Sequence, residues 1–205
     1  MRRFLVALSV FGLIAIGWCS PQRETATNEY DAQSVVMNLY KEIVVRKPLG
    51  IGSKDDRQAI SPFLSHGLIE RFNAAEACEK DYFRQYSDPN LKPKFAWLEM
   101  GLFSGANEKA IPSHAIVQRT KIRRDGSYRV HVQLTYGESL QTYGRTPDSA
   151  NTFKWTVVAL VIRDGGRFAV DNILYFNEDT KRFEPQLSRF LSLGCENGMW
   201  VGDKR

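Results

Sequence analysis

Hydrophobic positions along this chain recur at two periods, and the change from one to the other divides it. In the first half they return every three or four residues. Val35, Leu39 and Ile43, with Val36 and Tyr40 beside them, form the stripe of a helix that starts near Asp31 and ends at Pro48 and Gly50. Residues 50–57 read as a loop, and Ser61-Pro62 as an N-cap followed by proline at the first helical position. Leu68, Phe72, Ala75, Cys78 and Tyr82 mark one buried face of a longer helix over about 65–86, stopped by Asp88-Pro89-Asn90. Residues 91–112, with Pro93, Gly101, Gly105 and Pro112, read as irregular.

From residue 114 the period drops to two. Residues 114–123 alternate imperfectly, and Asp125-Gly126 is a hairpin turn. In 127–136, Tyr128, Val130, Val132, Leu134 and Tyr136 share one face, and Arg129, His131, Gln133 and Thr135 the other. A polar loop over 137–151 leads to the nearly continuous apolar run 153–162, a central strand. Asp164-Gly165-Gly166 turns the chain into a last strand over 167–176. A short helix near 184–193 ends at Gly194, and Cys195 and Trp200 tie the tail back. The pattern predicts an α+β fold, with N-terminal helices packed on an antiparallel sheet of about four strands. It forms a single domain over 30–202, preceded by a polar, flexible leader over 21–29.

The first twenty residues change the picture, because they set the compartment. Arg2 and Arg3 precede an apolar run from Phe4 to Ile16, with small residues at Ala15 and Gly17, and residues 1–20 read as a signal peptide. The run is shorter than the roughly 20 residues that span a bilayer, and no second run of that length follows. The best cleavage site follows Gly17. Cys19 offers a lipid anchor, but Trp18 stands where a lipobox has a small residue. The reading is therefore a periplasmic or secreted bacterial protein, with a membrane lipoprotein as the alternative. In an oxidising compartment Cys78 and Cys195 either pair or serve as small buried hydrophobes.

Charge and motifs narrow the chemistry. The net charge of +5 falls to +3 without Arg2 and Arg3, too little to imply a nucleic-acid partner. His66, His114 and His131 lack metal-ligand spacing and there is no CxxC, so no metal is expected. Neither a phosphate-cradling loop nor a GxSxG or SxxK nucleophile motif occurs, and no cofactor is implied.

Three stretches, ACEKDYFRQY (77–86), WLEMGLFSGANE (97–108) and DGGRFAVDNILY (164–175), carry a resemblance. With the order of helices before an antiparallel meander, they resemble uncharacterised exported bacterial proteins, of domain-of-unknown-function type, in the nuclear-transport-factor-2-like superfamily. The resemblance covers roughly 30–200. It implies a cone-like fold whose curved sheet wraps helices and leaves a pocket. It transfers no catalytic role, and Asp171 falls where related domains often carry a structural acidic residue.

Five residues are candidate ligand contacts. Trp97 offers a stacking surface and Glu99 a polar contact, or Trp97, Leu98 and Phe103 plug the core while Glu99 faces water. Tyr82 offers a phenol beside Glu79 and Asp81, which lie on different helix faces. His131 sits on a polar strand face, either exposed to solvent or paired with Asp171 as a dyad. Arg119, Lys121 and Arg123 share one strand face, near Arg124 and Arg129, for an acidic partner or a solvated edge. The leading reading is a non-catalytic domain that binds a small ligand or an envelope protein. The alternative is a small envelope hydrolase or isomerase using His131 with Asp171 or Glu99 with Tyr82.

Overall fold

Polar residues carry the first helix further back than its apolar stripe extends. In the structure, a computed structural model that describes residues 21–86, 95–107, 110–137, 152–185 and 187–202, helix α1 spans Pro21–Arg46. It begins ten residues before the expected Asp31, so the segment read as a flexible leader is helical. Pro21 occupies its first position, where a missing N–H costs no hydrogen bond. The helix meets the core through Ala32, Val36, Leu39, Tyr40 and Ile43. Residues 1–20 (read above as a signal peptide and including Cys19), the expected stop at 88–90 and most of the 137–151 loop lie outside the described residues.

Residues 50–57 are not all loop. Helix α2, Lys54–Ile60, starts there on a capping box. Ser53 Oγ accepts from the Asp56 N–H while the Asp56 carboxylate accepts from the Ser53 N–H. Ser61-Pro62 opens a 3₁₀ turn, Ser61–Phe63, rather than the long helix. That helix, α3, is His66–Gln85, capped by Ser65, and it buries the predicted stripe Leu68, Phe72, Ala75, Cys78 and Tyr82.

Strands β1 (Met100–Gly101) and β2 (Ala106–Asn107) form a small ribbon in the irregular stretch. The main sheet is antiparallel, in the order β3 (His114–Ile122), β4 (Tyr128–Tyr136), β5 (Phe153–Asp164), β6 (Arg167–Asn177) and β7 (Arg182–Pro185). It has five strands rather than the expected four. The fifth, β7, is four residues long, too short to show a period of two. Helix α4 (Leu187–Ser192) and the ribbon of β8 (Cys195–Glu196) and β9 (Met199–Trp200) finish the chain.

The core lies between α1, α3 and one face of the sheet. Tyr128, Val130, Val132 and Leu134 of β4 join Val157, Ala159 and Val161 of β5 there. On the outer face, Phe183 of β7 meets the His131 ring of β4 edge-on, with centroids 5.8 Å apart. Three strand spacings separate β4 from β7, about 14 Å in a flat sheet, so the sheet curls to bring them together. Val158 and Leu174, in the strands between, are 1% exposed as a result.

The tail is tied back as its residues suggest. The Sγ atoms of Cys78 and Cys195 stand at bonding distance, their Cα atoms 6.0 Å apart. Trp200 packs edge-on against Tyr82 and Phe95, and its N–H donates to the Asp81 carboxylate at 2.9 Å. Among the described residues no helix is long and apolar enough to cross a membrane.

Candidate functional site: a cleft where two strands part

Strands β5 and β6 are paired from the Asp164 turn only as far as Val158 and Leu174. Beyond that point β5 stays with β4 and β6 goes with β7. The gap between them is a cleft of about 590 Å³. Phe153 and Trp155, stacked at 5.6 Å, form one wall. Tyr175, Phe176 and Phe183 form the other, with Phe176 and Phe183 edge-on at 5.4 Å. Lys154 and Glu178 stand at the rim, Glu178 in an exposed ion pair with Lys181.

The floor comes from the FSGAN part of the irregular segment. Three aromatic side chains donate to three successive carbonyls around its start, those of Leu102, Phe103 and Ser104. Tyr175 Oη donates to Leu102 O, Tyr40 Oη to Phe103 O at 2.7 Å, and Trp155 Nε1 to Ser104 O at 2.8 Å. Burial raises the pKa of both phenols, so they remain protonated donors throughout the physiological range. Gly105 has φ +68°, and a Cβ there would lie 3.0 Å from the Tyr175 ring, so glycine is what lets the floor pass beneath this wall.

No carboxylate–imidazole or paired-carboxylate set lines the cleft among the described residues; its ionisable members are Lys154, Tyr175 and Glu178. The arrangement offers apolar, flat surfaces and two opposite charges at the entrance. Chemically, that composition suits the burial of a largely apolar molecule.

None of the five sequence candidates lines this cleft. Tyr82 is buried among Phe83, Tyr86, Phe95 and Trp200. Trp97 is 1% exposed and stacked on Phe95 at 4.6 Å, while Glu99 is exposed on the turn that follows. His131 lies on the outer sheet face but is only 7% exposed, because Phe183 curls over it. Asp171 occupies a bulge in β6 and accepts from Ser65 Oγ at 2.6 Å, which fixes the start of α3. His131 and Asp171 are separated by β5 and do not meet. Phe153, Trp155, Tyr175 and Phe176 fall in the two expected strands 153–162 and 167–176, and Phe183 falls outside any expected element. Their clustering at strand ends was the available signal.

A smaller groove beside Trp97 holds Glu79. Burial, then the neighbouring Glu76, raises the Glu79 pKa, with Arg57 and Lys80 opposing. A carboxyl raised in the fold loses stability as pH rises from the unfolded glutamate value through the folded one. Glu79→Gln is therefore expected to flatten the stability profile over that window and to raise stability at neutral pH. Denaturant midpoints measured from acid to neutral pH check this, and an unchanged slope would contradict it.

Comparison with protein-family models, with curated proteins and with solved structures gives no match to this chain.

Proposed function

We propose that this protein is an exported, non-catalytic binding domain that takes a small apolar or aromatic ligand in the β5–β6 cleft. The observation that carries the reading is the aromatic lining above a floor held by three aromatic donors. The curled antiparallel sheet with helices on one face supports a cone-like, nuclear-transport-factor-2-like architecture, in which a pocket of this kind is expected. The Cys78–Cys195 pair supports an oxidising compartment, the periplasm or the exterior. Retention of a diacylglyceryl group on Cys19 would replace soluble export with the lipoprotein alternative, and the intact mass of the mature protein reads it.

The test uses the neutral fluorophore N-phenyl-1-naphthylamine. Saturable binding is expected, weakened about tenfold or more by Phe153→Ser and by Phe176→Ser, a factor worth about 1.4 kcal/mol. Phe153 and Phe176 are 61% and 43% exposed, so both variants keep the core. Binding unchanged in both would overturn the cleft as the site. The enzyme alternative has one observation in its favour, the raised carboxyl of Glu79 beside Trp97. Turnover of an ester or isomerisable substrate that disappears in Glu79→Gln would replace the binding reading.

A further inference from the structure

Four nitrogen-bearing side chains stand at the corners of a rectangle on the outer face of β3 and β4. Arg119 faces His131 across the ladder, and Lys121 faces Arg129. Such partners are about 5 Å apart across the strands and about 7 Å apart along them. Like charges placed directly opposite each other destabilise a sheet. Arg119 and Lys121 are exposed, but no protein counter-charge offsets them: among the described residues the side chains of Arg119, Lys121 and Arg129 make no ion pair or hydrogen bond, and Arg129 Nε is buried without a partner. The neighbours on β5 are Val158 and Leu160, which bring no counter-charge.

Protection of a sheet edge accounts for cations on β3, the outermost strand. It does not account for Arg129, which lies inside the sheet on β4 and is half-buried. A solvated face is an equally poor account of a guanidinium nitrogen shut off from water. We propose that Arg119, Lys121, Arg129 and His131 form a binding site for a phosphate group. Three cations side by side on two strands match a multiply charged oxyanion better than a single carboxylate, and the arginine forks supply paired donors. None of its four residues lines the β5–β6 cleft, although Phe183, which packs on His131, is also a wall of that cleft. His131 reports on it. Burial, then Arg119, Lys121 and Arg129, hold its imidazole pKa below the usual value. The other groups packed on it, Val158 and Phe183, are neutral. A bound phosphate reverses the electrostatic part of that shift.

The full chain is titrated with inorganic phosphate at constant ionic strength, by calorimetry and by the His131 imidazole resonance. Saturable binding with an upward shift of the His131 titration is expected. Arg129→Gln and Lys121→Gln each weaken it about tenfold, the scale of one charge-assisted hydrogen bond. Arg124→Gln, in the turn outside the rectangle, leaves it unchanged. Sodium chloride producing the same shift, or Arg129→Gln and Lys121→Gln both binding like the wild type, would overturn the site. Co-sedimentation with phosphatidylglycerol vesicles, against phosphatidylcholine alone, separates the sources. A loss in Arg129→Gln assigns a membrane-borne phosphate. Equal sedimentation of wild type and variant, with phosphate binding retained, assigns a soluble phosphate ester.

Discussion

Replacing both Cys78 and Cys195 by alanine is expected to lower unfolding stability by about 4–5 kcal/mol, the chain-entropy value for a loop of this length. The two residues are 117 positions apart and the link closes most of the described domain, from the middle of α3 to the start of the tail. Its loss frees the unfolded chain and also releases the tail. Trp200 is then held by its ring contacts with Tyr82 and Phe95, by the Asp81 and Gln85 hydrogen bonds and by the β8–β9 ribbon, without a covalent link. In a domain of this size the melting temperature should fall by roughly 10–15 °C. Thermal unfolding of the variant, and of the wild type with reductant, checks it. The two should agree. A loss below about 1 kcal/mol in both would show that the link carries little of the stability assigned to it.

Trp97→Ala is expected to cost about 3–5 kcal/mol, the range for emptying a large aromatic site in a core. Trp97 is 1% exposed and stacked on Phe95, which in turn packs on Tyr82 and Trp200. Its indole N–H is buried without a hydrogen-bond partner. That separates two substitutions. Trp97→Phe retains a ring over Phe95 and removes the unpartnered donor, so it should cost far less than alanine. Chemical denaturation of both variants is the check. A small effect of Trp97→Ala would return the residue to the role of an adaptable ligand contact.

The elements that could be read from the chain are those whose burial is periodic. Helix α3 shows its stripe because five buried residues repeat along twenty, and β4 shows its alternation because one face meets α1. Helix α2 was hidden because its seven residues are mostly polar, and its only mark was Ser53 with Asp56 three positions on. Strand β7 was hidden by its length. His131 looked exposed because its strand neighbours are polar. What covers it is Phe183, more than fifty residues away in the chain and placed by the curl of the sheet. The WLEMGLFSGANE segment stood out correctly as unusual, but attention fell on Trp97 and Glu99. The part that meets the cleft is its second half. The cleft itself depends on where the β5–β6 ladder stops, and no local pattern encodes that.

The three donors beneath the cleft come from a helix at the start of the chain and two strands near its end, at separations of 63, 73 and 51 residues from the carbonyls they hold. Contacts this distant in sequence form after the local ones, because the intervening loops must close first. The floor is therefore among the last parts of the molecule to be built. During synthesis Trp155 and Tyr175 emerge long after Phe103, and until Trp155 does, Tyr40 is the one of the three anchors already made. An unfinished or unfolded chain has no cleft to offer. Completion of the cleft thus coincides with completion of the fold.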